Sequence, residues 1–183
     1  MPLAVSPVSY THLTINGSFA YGTSAGTSSN NLTLPGTATN ASNAAVTITA
    51  NGNGTLTLGA LVLNSGAASV ADVVTGAGNV TVSGAVSNGG AGANGLTYSG
   101  SGILTLNGAN TYTGATTING TGTVALGSTT ALGLASTASV IMSNGTLSLG
   151  GQSTTLKSLS GTGGTILGNS ASSVVLTVNQ RCV

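Results

Sequence analysis

Charge is what this sequence lacks most. Charged residues make up 2% of the 183-residue chain, against about 25% in an ordinary soluble protein. The whole set is Asp72, Lys157 and Arg181, and the formal net charge is +1. No basic stripe exists to follow a phosphate backbone, so nucleic acid is not expected as a partner. One cysteine, Cys182, excludes an internal disulfide. Tryptophan is absent, and the aromatics are four tyrosines and Phe19. That excludes a hidden outer-membrane barrel with aromatic girdles. No run approaches the roughly 20 apolar residues of a membrane helix. The start, "MPLAVSPVSYTHL", lacks the basic and apolar regions of a signal peptide.

Catalytic groups are equally scarce. Sugar hydrolysis by the usual route needs two carboxylates, and only Asp72 is present. A Ser–His–Asp triad would need His12, which lies in the unusual N-terminal stretch. No enzyme activity, cofactor or small-molecule substrate is expected. Asp72 reads as an exposed or turn residue, and Lys157 as a solubilising charge on an outer face. The stretch "GGAGANGLT" (89–97) resembles a calcium-binding nonapeptide, but Asn94 replaces the carboxylate and there is one copy. It is expected to be a glycine-rich loop, and no metal site is assigned. No Gly-x-Gly pair extends to a dinucleotide fingerprint before a helix. The Asn-x-Ser/Thr sequons, such as Asn31, Asn53, Asn79 and Asn144, are what an Asn- and Thr-rich chain contains by chance.

What the chain has is glycine, 30 residues of it, in a composition that is 40% hydrophobic. Disorder driven by charge and low hydrophobicity does not fit. The glycines carry a rhythm. Gly54, Gly78, Gly102, Gly122, Gly145 and Gly163 lie 24, 24, 20, 23 and 18 residues apart. Each of the first five opens the same short strand: "GTLTLG", "GNVTVS", "GILTLN", "GTVALG" and "GTLSLG". The register of the sixth, "GGTILG", is open. Period-2 alternation puts Leu56/Leu58, Val80/Val82, Leu104/Leu106, Val124/Leu126 and Leu147/Leu149 on one face. The other face is small and mostly hydroxylated: Thr55/Thr57, Asn79/Thr81, Ile103/Thr105, Thr123/Ala125 and Thr146/Ser148. A one-residue slip would exchange the two faces, so the pattern fixes the register.

Further short strands lie between, at 60–64, 115–119, 138–142 and 173–178. Helical periodicity is absent. A unit of some twenty residues has too few inward side chains to offset its own ordering entropy. Stacking a second unit on it covers those side chains and pairs its backbone. The expected fold is all-β: a right-handed single-stranded parallel β-helix, or β-solenoid, with coils of 18–24 residues stacked roughly 4.8 Å apart. An antiparallel sandwich also uses short strands, but does not predict one strand recurring in one register. The expected divisions are an irregular 1–13, weakly patterned coils over 14–43, repeats over 44–179 and an irregular 180–183. The strings "VSYTHL" and "NQRCV" look like adaptor-derived sequence; on that reading the chain proper is expected to run from about Leu13 to about Asn179 as a piece of a longer protein.

The stretch "GSGILTLNGANTYTGATTINGTGTVALG" (100–127) resembles the passenger-associated transport repeat of bacterial autotransporters, also called the autotransporter-associated β-strand repeat. The family pattern is matched at Gly100, Gly102, Leu104, Leu106, Gly108, Asn110, Tyr112, Gly114, Thr116 and Ile118, then Gly122, Thr123 and Val124. The likeness runs from Leu96 to Gln180, with looser copies over 44–90. It implies a secreted, cell-surface passenger of a Gram-negative-type bacterium, adhesin-like and built as a β-helical stalk. It also implies a C-terminal outer-membrane barrel outside this stretch, and a part in passenger folding and export. Partners are then neighbouring coils of the same longer chain, with end-to-end self-association when the ends are open. Within the motif, Asn110 is expected to extend an amide ladder and Tyr112 to cover the apolar column at a corner. Two other readings remain: a piece of a β-helical polysaccharide-binding or -degrading protein, and an ice-binding solenoid presenting its Thr ladder.

Overall fold

The computed structural model describes residues 11–22, 31–168 and 173–180. Among them there is no helix; every regular element is a strand of three to five residues. The strands fall into layers of three. Layer 1 holds β1 (His12–Ile15), β2 (Phe19–Tyr21) and β3 (Leu32–Leu34). Layer 2 holds β4 (Thr37–Asn40), β5 (Thr47–Ala50) and β6 (Thr55–Leu58). Layer 3 holds β7 (Leu61–Leu63), β8 (Ala71–Thr75) and β9 (Asn79–Val82), and layer 4 holds β10 (Val86–Asn88), β11 (Gly95–Tyr98) and β12 (Ile103–Leu106). Layers 5 and 6 keep two strands each: β13 (Thr116–Ile118) with β14 (Thr123–Leu126), then β15 (Ser139–Met142) with β16 (Thr146–Ser148). Layer 7 holds β17 (Thr154–Leu156), β18 (Ser158–Gly161) and β19 (Thr165–Leu167), and β20 (Leu176–Val178) opens the next.

Each strand pairs with its counterpart one layer away, and the pairings among the described residues are all parallel. This is a β-solenoid; a sandwich of antiparallel strands is excluded. One seven-stranded sheet runs β2-β5-β8-β11-β13-β15-β18 and another β3-β6-β9-β12-β14-β16-β19. The remaining face is discontinuous: β1-β4-β7-β10 form one sheet and β17-β20 another.

Leucine and valine make the interior, as the alternation requires. Leu32, Leu56, Val80, Leu104, Val124, Leu147 and Ile166 are successive register partners. The middle five are at most 1% exposed, whereas Leu32 and Ile166 at the two ends are 36% and 37% exposed. A second column, Leu34, Leu58, Val82, Leu106 and Leu126, runs beside it. Thr57, Thr81, Thr105, Ala125 and Ser148 stack on the outer side in the same register.

Two details differ from the sequence reading. His12 and Leu13, placed there in an irregular 1–13, open β1, which pairs with β4. Within 14–43, β2 and β3 pair with β5 and β6, and β4 pairs with β7. The final step aligns Thr146 with Thr165, so the glycine equivalent to Gly145 is Gly164 rather than Gly163. Gly145 and Gly164 both have positive φ, 68° and 106°, a conformation that glycine adopts at no steric cost. The terminal stretches 1–10 and 181–183, with Arg181 and Cys182, lie outside the described residues.

Candidate functional site

The motif residues concentrate where the first face of the solenoid is interrupted. In layers 5 and 6 no strand follows β10, yet the backbone groups of β10 still need partners. Asn110 supplies one. Its side-chain oxygen accepts from the Val86 amide at 2.7 Å, and its Nδ2 donates to the Ala131 carbonyl. One buried amide thus ties layer 5 to the layers on both sides. The backbone assists: the Thr111 amide donates to the Val86 carbonyl at 2.8 Å and the Asn110 amide to the Thr130 carbonyl at 3.2 Å. The hydroxyl of Thr154 continues the series by donating to the Thr129 carbonyl at 2.9 Å.

Tyr112 lies two residues on and is fully buried. Its hydroxyl and that of Thr116 share a 2.5 Å hydrogen bond. Thr116 occupies an inward position of β13 and is itself buried. The pair thus satisfies two buried polar groups with each other. Burial pushes the Tyr112 phenol up to about 12, against the smaller opposing effect of the Thr116 bond.

Leu104, Leu106 and Ile118 point inward from β12 and β13 with no exposure. Gly100 and Gly122 turn the chain between the two long sheets. A Cβ on Gly122 would stand 2.7 Å from the Tyr98 hydroxyl and closer still to the Gly102 carbonyl. The bare glycine is what lets the two coils approach. Tyr98 fills the space beneath, register-paired with Ile118. Its hydroxyl is buried without a hydrogen-bond partner, and burial pushes this phenol too up to about 12. Gly102, Gly108 and Gly114 occupy further close approaches between layers: a Cβ on Gly108 or Gly114 would meet backbone atoms of the preceding layer.

Residues 96–126 match the passenger-associated-transport-repeat. The matched stretch therefore runs from β11 through β14 and contains the Asn110 bridge and the Tyr112–Thr116 pair. It ends at Leu126, short of the Gln180 expected from the sequence. Beyond it, the segment from Ser128 to Thr137 leaves the coil pattern for a series of tight turns, with Ala131 and Leu132 buried beneath them. No curated protein and no solved structure matches the chain.

Outside the repeat, Asp72 departs from expectation. It is 1% exposed, inside the coil on β8, and neither exposed nor at a turn. The reason is alternation: "ADVVT" puts Asp72 on the same face as Val74, and Val74 faces the core. That signal was present in the sequence. Asn94, in the stretch resembling a calcium loop, is also buried; its Nδ2 donates to the Asn64 carbonyl at 2.9 Å and its Oδ1 accepts from the Val70 amide at 3.2 Å. Its side chain is thus committed to bridging layers. Lys157 is exposed. Among the described residues no three His, Cys, Asp or Glu side chains cluster as a metal would need. The chemistry this site performs is hydrogen bonding between layers.

Proposed function

We propose that this chain is a non-catalytic stalk segment of an exported, autotransporter-like or adhesin-like passenger, displayed on the surface of a Gram-negative bacterium. The observation that carries the reading is the coincidence of the passenger-associated-transport-repeat with the layers that the Asn110 bridge and the Tyr112–Thr116 pair lock together. A stalk needs rigidity along one axis and no reactive group, and parallel stacking on aliphatic columns supplies that.

In this reading the partners are further coils of one longer chain, which cover the half-exposed Leu32 at one end and Ile166 at the other. An outer-membrane barrel outside this stretch anchors that chain. The nearly uncharged surface favours neither nucleic acid nor charged ligands. The repeat layers aid export by giving the emerging chain an early, self-consistent stack on which later coils assemble.

The test is a fusion of this chain between a secretion signal and an autotransporter barrel in a Gram-negative host. Protease added to whole cells is expected to cleave the chain at the surface, and deletion of residues 96–126 to reduce the displayed amount. Retention of the intact fusion in the periplasm would contradict the proposal. The separately expressed chain is expected to associate end to end, read by light scattering as mass that grows with concentration.

A further inference from the structure

Asp72 is the one acidic residue of the chain, and the fold places it in the core, paired in register with Leu96. Its Oδ1 accepts from Asn40 Nδ2 at 2.8 Å and from the Val46 amide at 2.9 Å. Its Oδ2 accepts from the Asn64 amide at 3.3 Å. All three partners are neutral N–H donors. They suit a carboxylate in geometry, but without an opposite charge they replace its lost hydration only in part. Burial accordingly pushes the carboxyl above its ordinary value, against the smaller opposing effect of the bonds from Val46, Asn64 and Asn40.

The surroundings offer nothing else that titrates near neutrality. The elements packed on Asp72 are β4, β5 with Val46 before it, β7 with Asn64 after it, and β11. Their one titratable side chain is Tyr98 of β11, whose phenol, pushed up to about 12, stays neutral there. Lys157 is exposed in layer 7, and His12 is exposed on β1.

A polar series ties this point to three layers. Asn40 of layer 2 donates to Asp72 of layer 3 and to the Ala44 carbonyl at 2.8 Å. Asn64 donates through its side chain to the Ala68 carbonyl at 3.0 Å. Asn94 of layer 4 donates to the Asn64 carbonyl. Charge on Asp72 therefore bears first on β4 at Asn40 and on the chain at Val46, just before β5, and at Asn64, just after β7.

We propose that Asp72 is a pH-sensitive element built into the stack: layers 2 to 4 hold together more firmly when this carboxyl carries a proton than when it carries charge. As pH rises, the unfolded chain releases this proton first, near the ordinary value of 3.8. The folded chain holds it longer. Between the two values the folded state binds more protons, so stability falls as pH rises. The stabilisation is complete below 3.8 and is lost as pH passes the raised folded value. This inference is independent of the proposed function.

Amide hydrogen exchange on the full chain, in a His12→Gln background and corrected for intrinsic rates, tests it. Protection of the Ser65, Val73 and Gly95 amides, which bond between layers and not to Asp72, is expected to fall between pH 3 and pH 7, by about tenfold for each unit by which the folded value exceeds the ordinary one. In Asp72→Asn the fall is expected to disappear. Equal protection at both pH values in the parent, or greater protection at pH 7, overturns the proposal, as does an unchanged fall in Asp72→Asn. Should that variant fail to fold, the single aspartate carboxyl of the parent chain can be titrated by carbon-13 NMR. A midpoint above 3.8 supports the proposal, and one at or below it overturns it.

Discussion

The side-chain oxygen of Asn110 accepts the amide hydrogen of Val86, 24 residues earlier, where a neighbouring strand would otherwise have done so. The same side chain donates onward to Ala131. Removing it leaves a buried donor and a buried acceptor without partners, at about 1–3 kcal/mol each. Asn110→Ala is therefore expected to lower stability by about 2–6 kcal/mol, read as a lower urea midpoint with an unchanged slope. Asn110→Asp keeps an acceptor for Val86 but cannot donate to Ala131 when ionised, and is expected to be no better than the alanine variant at neutral pH.

The two core tyrosines should respond oppositely to loss of the hydroxyl. Tyr112 shares a hydrogen bond with Thr116, so Tyr112→Phe leaves a buried threonine hydroxyl unpaired and is expected to cost about 1 kcal/mol. Tyr98 has no partner for its hydroxyl, so Tyr98→Phe is expected to be neutral or to gain up to about 1 kcal/mol. Tyr112→Ala removes the whole ring from the core and is expected to cost about 3–5 kcal/mol. Urea unfolding of the three variants under one condition gives the comparison.

Both phenols are pushed up to about 12, so the fold holds their protons more tightly than the unfolded chain does. The associated stability is complete below their ordinary value of 10 and is lost as pH rises towards 12. A spectrophotometric titration, with Tyr98→Phe and Tyr112→Phe to assign the signals, should show Tyr98 and Tyr112 ionising well above pH 10, together with loss of β-sheet circular dichroism. Ionisation of these two near pH 10 with the fold intact would place them outside the core.

Gly122 offers a test of close approach between layers. Gly122→Ala brings a methyl group against the Gly102 carbonyl and the Tyr98 hydroxyl. It is expected to cost about 1–3 kcal/mol, the range for overpacking. Combining it with Tyr98→Phe should recover only part of the loss, because the Gly102 carbonyl remains. The readout is again the denaturation midpoint.

The aliphatic columns were legible because period-2 alternation and a recurring glycine mark both face and register. Leu56, Val80, Leu104 and Val124 could be aligned without coordinates. Asp72 was missed because a charged residue is ordinarily placed outside, although the alternation with Val74 points it inward. The role of Ser128–Thr137 was not legible, since its turns have no period; its contact with Asn110 depends on the chain leaving the coil. The first layer is only weakly patterned because β1–β3 lack the Gly-x-Gly signal. In β3 the Leu32/Leu34 alternation continues both columns, but no recurring glycine marks where β1 and β2 belong. For the last layer, two adjacent glycines left a one-residue ambiguity that pairing resolves at Gly164.

The central claim is that like positions of successive coils are neighbours in one parallel register. Thr81 and Thr105 are such partners on the outer face, with Cα atoms roughly 4.8 Å apart by strand spacing, inside the disulfide range. Ala125 lies one layer further. In a Cys182→Ser background, Thr81→Cys/Thr105→Cys is predicted to form an intramolecular disulfide on mild oxidation, while Thr81→Cys/Ala125→Cys remains reduced. Cross-linking of the second pair in preference to the first, or of neither, would contradict the stacked arrangement.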